Sequence, residues 1–319
     1  MAQFGFPTTS DEAAEALSAS IRNKTIIITG VSPGSLGADT ARALLAHQPA
    51  QLILASRSEK KINEVIASLV IPSETVVRSL CLDLSSLKAV RAAAAQVSEW
   101  VASIDGLICT AGIMATSTYQ TSVDGFELQF AINHLGHFLF TNLLIEKLLA
   151  APGGPTVVNY TSEAHSRAEM GFLDDLSYGS HGDNYNKWLA YSNSKACNIL
   201  FSVGLVQRFG ARGLRSFGVD PGIIVTTSLT RSVPPEDFIA LGWVDEQGKL
   251  SSAIKTKTSA EGSSSAIIAA FDNTLTNEKG YFVTDGVISN ISLNHDSVDP
   301  DTANKLWKLS EKLTGLVPE

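Results

Sequence analysis

The chain has 319 residues, of which 44% are hydrophobic and 18% are charged, a balance that supports a large buried core and excludes an extended, charge-rich chain. Its formal net charge of −8 argues against nucleic acid as a partner, because such a surface repels a phosphate backbone. Cys81, Cys109 and Cys197 each lie in an apolar stretch, which favours reduced core thiols over disulfides. No His/Cys/Asp cluster has ligand spacing, so we expect no metal.

The N-terminal segment, residues 1–22, has neither the basic start nor the apolar stretch of a secretion signal, because acidic residues interrupt its alanines. No apolar run reaches the length of about 20 residues that crosses a bilayer, and polar side chains interrupt even residues 139–151. We therefore expect a soluble, cytoplasmic protein with no membrane partner. Residues 1–22 are interpreted as an N-terminal extension and residues 23–319 as a single domain.

Strand-like and helix-like patterns alternate along the rest of the chain. The strands are predicted at 24–29, 51–55, 75–82, 106–109, 156–160, 214–219 and 280–283. The helices are predicted at 38–47, 58–69, 85–101, 125–149 and 191–209. This alternation predicts an α/β fold of the Rossmann type, a doubly wound parallel sheet of about seven strands with helices on both faces.

Two segments without clear periodicity, 163–189 and 228–257, follow strand ends, where ligands bind in this architecture. We expect residues 228–257 to form a substrate loop. Large apolar side chains in or near these segments either line a pocket for an apolar or aromatic ketone or pack in the core. They are Phe172, Trp188, Phe238, Leu241 and Trp243.

The turn after the first strand is rich in glycine and reads Thr29-Gly30-Val31-Ser32-Pro33-Gly34-Ser35-Leu36-Gly37. Glycines let the backbone approach a pyrophosphate, and the free amides at the following helix start bind its charge. An ordinary glycine-rich loop has the same composition. The position of the turn, between the first strand and an alanine-rich helix, favours a dinucleotide cofactor.

Arg57 follows the second strand, where a Rossmann protein meets the adenosine ribose. An acidic residue there would hold the free 2′-hydroxyl of NAD, whereas an arginine accommodates the 2′-phosphate of NADP. The alternative is a solvated charge at a helix start, with Ser58 as the N-cap. We predict NADP(H) as the cofactor.

Tyr191 and Lys195 lie one helical turn apart on the same predicted face. Acid/base work by a tyrosine at neutral pH requires its pKa to fall by about three units from about 10, which is about 4 kcal/mol of stabilisation. The Lys195 charge, together with the positive nicotinamide of the cofactor, can supply it. Alone, Tyr-x-x-x-Lys is frequent on helix surfaces, and its weight comes from standing downstream of a nucleotide loop.

Two further polar residues are candidates for the same site. Ser162 follows the strand at 156–160 and could donate to a substrate carbonyl oxygen, although it could also cap local backbone, and Thr161 competes for the role. Asn133, in the middle of the predicted helix 125–149, either supports a water relay to Lys195 or is a neutral polar residue.

With these motifs assembled, the chain resembles the short-chain dehydrogenase/reductase family, and within it the retinol-dehydrogenase-like and fungal branches, over residues 24–227. Asn133, Ser162, Tyr191 and Lys195 match the family's catalytic tetrad. The glycine turn resembles TGxxxGxG, Asp83-Leu84 the adenine-contacting pair, Ala111-Gly112 the tail of NNAG, and Pro221-Gly222 to Thr226 the motif that binds the carboxamide. The resemblance implies a cofactor-binding set of Gly30, Ser32, Gly34, Ser35, Leu36, Gly37, Arg57, Asp83, Leu84, Ala111, Gly112, Tyr191, Lys195, Pro221, Gly222, Ile224 and Thr226.

The chain departs from the family pattern at three places. Two residues separate Gly34 from Gly37 where the family has one, so the phosphate loop is one residue longer. Cys109-Thr110 replaces the two asparagines of NNAG. Asp220 precedes the Pro-Gly pair, where the retinol-like branch often has histidine. None of these changes touches the tetrad, so we expect catalysis to be retained.

The mechanism that the resemblance implies is hydride transfer between NADPH and a ketone or aldehyde, or the reverse alcohol oxidation. Ser162 holds the carbonyl oxygen, Tyr191 protonates it, Lys195 lowers the Tyr191 pKa and binds the nicotinamide ribose, and Asn133 supports a water chain. The partner is a small carbonyl or alcohol substrate, apolar or aromatic, with a fungal secondary-metabolite ketone as the favoured guess. A homo-oligomer is compatible with the family.

Two other functions stay open. A Rossmann-type sensor or regulatory protein would hold NADP(H) without turnover, since a fold alone does not prove catalysis. A dehydratase, an epimerase or a double-bond reductase on the same fold can keep both Tyr191 and Lys195. The complete tetrad argues against the first, and only a product assay separates the second.

Overall fold

The computed structural model describes residues 4–179, 181–227, 229–230, 233–289 and 293–316. Its strands, in chain order, are β1 Thr25–Thr29, β2 Gln51–Ser56, β3 Val76–Cys81, β4 Gly106–Cys109, β5 Thr156–Tyr160, β6 Arg215–Asp220, β7 Phe282–Thr284 and β8 Val287–Ile288. They form one sheet in the order β3-β2-β1-β4-β5-β6-β7-β8. The predicted doubly wound α/β sheet is confirmed.

All neighbouring strands from β3 to β7 run parallel, and β8 alone pairs antiparallel with β7. The eighth strand is an addition to the seven predicted. Asp285 and Gly286, with φ of 53° and 75°, form the two-residue turn that joins β7 to β8. An Asp-Gly pair is the sequence signal for such a hairpin.

The helices of the described residues are α1 Ser10–Ala16, α2 Ser18–Ile21, α3 Leu36–Leu45, α4 Glu59–Ser68, α5 Leu87–Trp100, α6 Leu128–Phe130, α7 Gly136–Leu143, α8 Ile145–Leu149, α9 Lys187–Phe209, α10 Pro235–Ala240, α11 Ser259–Phe271 and α12 Pro300–Thr314. A π-helical turn, Ala131–Leu135, joins α6 to α7. One face of the sheet packs against α3, α4 and α11, and the other against α5, α7, α8 and α9. No helix in the described part of the chain has the length and apolar character needed to cross a membrane.

The long helix predicted at 125–149 is wrong as one element. Gly125 has a φ of +87° and lies in a turn, and the helical region begins only after Glu127, whose carboxylate accepts from the amides of Gln129 and Phe130. The π-helical turn then interrupts it, and a break at Leu144 separates α7 from α8. The regular apolar spacing of this stretch hides all three changes.

Several helices were not predicted or are longer than predicted. Helix α9 begins at Lys187, four residues before the predicted start, because Asn186 caps the amides of Trp188 and Leu189. Helix α11 was not predicted, since it is buried all along Gly262–Phe271 and shows no polar face. Its capping box, Thr258 with Glu261, is the signal that marks its start.

The N-terminal segment packs on the α/β core through α1. Ala13 and Ala14 are buried, the Ser10 hydroxyl donates to Asp39 at 2.7 Å, and Arg42 pairs with Asp11 at 2.7 Å. The predicted reduced core thiols hold for two of the three cysteines, since Cys109 and Cys197 are buried and free. The third, Cys81, is exposed, because it ends the edge strand β3.

Gly136, the first residue of α7, presses against the loop after β3. A Cβ at this position would lie 2.5 Å from the Leu84 carbonyl oxygen and 2.8 Å from its Cβ. We expect Gly136→Ala to lower the free energy of unfolding by about 1 to 3 kcal/mol, the usual cost of overpacking, measured by urea denaturation. Gly171→Ala is the control, because nothing lies within 4 Å of a Cβ there. Equal effects of the two substitutions would contradict this reading of the contact.

Candidate active site

The carboxyl ends of the parallel strands open onto a cavity of about 810 Å³, where the strand order reverses between β1 and β4. Most of the predicted site residues line it: Gly30, Ser32, Ser35, Leu36, Arg57, Asp83, Leu84, Ala111, Gly112, Ser162, Tyr191, Lys195, Pro221, Gly222 and Ile224. Four others, Gly34, Gly37, Asn133 and Thr226, do not line it. Thr227 lines the cavity next to the exposed Thr226.

The glycine turn brings three backbone segments close together. Gly30 has a φ of +75°, and a Cβ there would lie 2.7 Å from the Ala111 backbone. A Cβ on Gly37 would lie 3.1 Å from the Thr29 carbonyl oxygen, so this glycine allows α3 to approach β1. Gly34 lies at the exposed part of the turn, where a Cβ would meet nothing within 4 Å.

The hydroxyl of Ser35 holds the start of α3. It accepts hydrogen bonds from the amide of Ala38 at 3.1 Å and from that of Ser32 at 3.0 Å. The loop is therefore fixed at the N-terminus of α3, the positive end of its helix dipole. The cavity is bordered there by Gly30, Ser32, Ser35 and Leu36. This arrangement suits a pyrophosphate.

Arg57 lies exposed at the end of β2, on the border of the cavity. None of the ion pairs formed by the described residues includes its guanidinium, which leaves it available to an anion. The predicted N-cap role of Ser58 is confirmed, since its hydroxyl accepts from the Lys61 amide at 3.4 Å. Lys61 also lines the cavity and was not predicted. Its spacing of four residues from Arg57 is the signal that could have identified it.

Tyr191 and Lys195 project from α9 toward the end of β5. The Lys195 ammonium lies 5.6 Å from the centre of the Tyr191 ring and donates to the Tyr160 carbonyl oxygen at 3.0 Å. Beside Tyr191 lies Ser162, whose hydroxyl accepts a hydrogen bond from the Ala164 amide at 3.3 Å and whose interaction with the phenol lowers the Tyr191 pKa. The Thr161 hydroxyl instead donates to the Lys195 carbonyl oxygen at 2.8 Å, which leaves Ser162 as the hydroxyl beside Tyr191.

Burial controls the ionisation of this pair. It raises the pKa of Tyr191 well above its ordinary value, the Ser162 hydrogen bond opposes the rise, and the charge of Asp220 adds to it. Burial lowers the pKa of Lys195 to about 8, and the Asp220 charge opposes that fall. The Lys195 charge is not among the causes that shift the Tyr191 pKa, so the lowering expected from Lys195 is not found in the protein alone.

Asn133 lies in the π-helical turn, fully buried behind Gly112. Its Oδ1 accepts from the Ile113 amide at 2.8 Å, and its Nδ2 donates to the Ile113 carbonyl oxygen at 3.0 Å and to the Ser194 hydroxyl at 2.9 Å. A Cβ on Gly112 would lie 3.1 Å from Asn133 Oδ1 and 3.4 Å from Lys195 Nζ. The amide therefore joins the segment after β4 to α9, directly beside the lysine.

The far end of the cavity is apolar. Of the five large side chains considered for a pocket, Trp188, Phe238, Leu241 and Trp243 line it. Phe172 does not, because it packs against Phe130 and Tyr178 in the core. Residues 228, 231 and 232 of the predicted substrate loop lie outside the described residues. Further lining side chains that were not predicted are Met114, Leu229, Val244, Leu250 and Ile254.

The comparisons with known proteins agree with this fold. A family model described as short chain dehydrogenase matches residues 24–237. The chain is 32% identical over 309 residues to the short-chain dehydrogenase/reductase prx1 of Penicillium rubens, covering 93% of this chain and 86% of that protein. It is 33% identical over 313 residues to human retinol dehydrogenase 14, covering 93% and 88%. A crystal structure of an uncharacterized protein from Mycobacterium paratuberculosis superposes with a TM-score of 0.69 at 32% identity, covering 93% and 97%.

The chain therefore belongs to the short-chain dehydrogenase/reductase family, whose members are oxidoreductases that use a nicotinamide cofactor. The retinol-dehydrogenase-like resemblance is confirmed by the human relative.

The buried contacts of Asn133 predict a stability effect. Asn133→Ala should lower the free energy of unfolding by about 2 to 4 kcal/mol, because it leaves the Ile113 amide and carbonyl without their partner. Asn142→Ala is the matched control, since that amide makes one hydrogen bond to Phe138 within α7 and its loss should cost no more than about 1 kcal/mol. Denaturant unfolding would contradict this if the two variants lost the same stability.

Proposed function

We propose that this chain is an NADP(H)-dependent oxidoreductase that interconverts a ketone or aldehyde and the corresponding alcohol through Asn133, Ser162, Tyr191 and Lys195. The observation that carries the proposal is that Ser162, Tyr191 and the buried Lys195 border one cavity that also reaches Arg57, with the Lys195 ammonium 5.6 Å from the centre of the Tyr191 ring. Membership of an oxidoreductase family supports it.

The cavity fits a dinucleotide. Gly30 and Gly112 border the cavity with bare backbone, because a Cβ on either would meet Ala111 or Asn133. In this proposal the glycine turn binds the pyrophosphate and the end of β3 contacts the adenine. Residues 221–224 would hold the carboxamide. We assign the cofactor contact predicted for Thr226 to Thr227, because Thr227 lines the cavity and Thr226 does not.

The cofactor supplies or accepts the hydride when it is bound. Ser162 donates a hydrogen bond to the substrate oxygen and aligns it with Tyr191. Tyr191 gives its hydroxyl proton to that oxygen during reduction and takes a proton back during oxidation. Lys195, whose ammonium lies 5.6 Å from the centre of the Tyr191 ring, would bind the nicotinamide ribose, and Asn133 fixes the backbone at Ile113 beside it.

Arg57 and Lys61 support NADP(H) over NAD(H). Both cations border the cavity, Arg57 directly after β2 and Lys61 on α4, and the strand end Ala55-Ser56-Arg57 itself carries no carboxylate for a ribose 2′-hydroxyl. A guanidinium binds a phosphate with two parallel hydrogen bonds, and an adjacent ammonium adds charge.

The apolar end of the cavity supports an apolar or aromatic carbonyl substrate. Trp188, Phe238 and Trp243 offer ring surfaces of the kind that bury such a group. A secondary-metabolite ketone is the substrate class we favour. We further propose that residues 23–319 act as one cytoplasmic domain, with residues 228–257 as the substrate loop.

Arg57→Ala tests the cofactor assignment. NADPH affinity should fall roughly tenfold to a hundredfold, which corresponds to about 1.5 to 3 kcal/mol for a hydrogen bond to a charged group, while NADH affinity should change little. Fluorescence titration of both cofactors measures this. Arg78→Ala is the matched control, because Arg78 stacks on Trp100 outside the cavity. Equal affinities of the unmodified protein for NADPH and NADH would overturn the assignment.

Tyr191→Phe tests the chemistry. It removes only a hydroxyl, so turnover should fall by about a hundredfold to ten-thousandfold while NADPH affinity is kept. Lys195→Ala should reduce turnover and weaken NADPH binding together. Tyr281→Phe, outside the cavity lining, is the matched control. NADPH consumption across a panel of aromatic aldehydes and ketones gives the rates. An undiminished rate in Tyr191→Phe would favour a different chemistry, and no turnover in the unmodified protein would favour a binding protein.

A further inference from the structure

Asp220 is a buried carboxylate on the wall of the candidate active site. It ends β6, is 8% exposed, and lines the same cavity as Ser162, Tyr191 and Lys195. Its Oδ1 accepts a hydrogen bond from the Gly222 amide at 3.1 Å. None of the ion pairs in the described part of the chain includes it. A carboxylate in such a place has little local compensation, so its charge reaches the neighbouring side chains.

Asp220 lies next to the strand position that holds the lysine. It follows Val219, which pairs with Tyr160 in the sheet, and the Tyr160 carbonyl oxygen accepts from the Lys195 ammonium.

Ionisable groups from four other elements interact electrostatically with Asp220. Glu163 comes from the 3-10 helix after β5, and Tyr191 and Lys195 come from α9. Lys257 precedes α11, and Asp285 lies in the turn from β7 to β8.

The ion pair between Lys257 and Asp285 does not include Asp220. Lys257 is almost fully buried and forms an ion pair with Asp285. Its side-chain stem lies behind Gly222, since a Cβ there would be 3.1 Å from Lys257 Cδ. Because Lys257 already has a carboxylate partner, its ammonium compensates Asp220 only in part. The carboxylate of Asp220 therefore acts on both members of the Tyr–Lys pair.

We propose that Asp220 is a positioning residue that holds the protons of Lys195 and Tyr191, so that the tyrosine keeps to higher pH the protonated form from which carbonyl reduction starts. This inference rests on the function proposed above. The residue itself touches neither of the reacting protons. It acts through its negative charge, and the amide bond to Gly222 fixes where that charge lies.

The signs of the effect agree. A negative charge disfavours loss of a proton from a neighbour, so Asp220 raises the pKa of both Tyr191 and Lys195. Burial raises the pKa of Asp220 itself to about 6, and that of Lys195 lies at about 8, so Asp220 is charged while Lys195 titrates. Removing the carboxylate moves both groups in the same direction, toward loss of their protons at lower pH. The falling limb of reduction at high pH must then move down as well.

The direct test titrates Lys195 in the protein without any ligand. Lysine labelled with carbon-13 at Cε is followed by NMR, and the Lys195 resonance is assigned by its absence in Lys195→Arg. In Asp220→Asn the titration midpoint should fall by about one pH unit, the lower range for removing an opposite charge close by. Asp220→Glu should keep most of the midpoint. Glu99→Gln, an exposed carboxylate on α5 outside the cavity, is the charge-matched control and should not move it.

The second test is the pH profile of kcat/KM for NADPH-dependent reduction of para-nitrobenzaldehyde. The falling limb of Asp220→Asn should lie about one pH unit below that of the wild type. Asp220→His, the residue common in the retinol-like branch, is neutral at high pH and should shift the limb likewise if the asparagine variant does not fold.

The outcomes distinguish the role of Asp220 from the proposed oxidoreductase function. Identical midpoints and limbs in wild type and Asp220→Asn would overturn the role of Asp220, and so would a rate lowered by the same factor at every pH. A wild-type protein that binds NADPH but reduces no carbonyl compound would instead overturn the proposed function, while the Lys195 titration still reports on Asp220.

Discussion

The buried ammonium of Lys195 is the interaction on which the candidate active site depends. It donates to the Tyr160 carbonyl oxygen, as does the Asn198 amide, and the Lys195 carbonyl oxygen accepts from Thr161, so several hydrogen bonds hold α9 to the end of β5. These bonds bring Tyr191 beside Ser162. Because a buried charge is costly, its surroundings must supply compensation, and here this comes from a backbone dipole and the field of Asp220.

The same constraint explains the irregular helix that faces α9. The π-helical turn at Asn133 brings its amide against Ile113 and Ser194, close to the lysine. Such turns cost regular hydrogen bonding and are frequent at functional sites. Gly136 follows at once and allows the resumed helix to approach Leu84, so the irregular turn is packed from the side of β3 as well.

Much of the fold could be predicted from the sequence, because strands buried on both faces give continuous apolar runs and the alternating helices have one apolar face. The failures have physical causes. Helix α11 is buried all round and so has no pattern, and the breaks in 125–149 depend on contacts with residues distant in sequence. In the site, the one-turn spacing predicts that Tyr191 and Lys195 lie on the same face of a helix. The type of side chain alone does not predict that Phe172 lies in the core and Trp188 lines the cavity.

The two ends of the cavity are built from different parts of the fold. The cofactor end is made by strand termini and helix starts of the central sheet, whose positions follow from the core. The substrate end is made by α10 and its flanking loops, which are held to α9 by the ion pair between Lys187 and Asp237. A segment held by few contacts can change its side chains without disturbing the sheet. In the function proposed above, the chemistry therefore belongs to the shared framework, and the choice of substrate belongs to residues such as Phe238 and Trp243, whose rings contact each other.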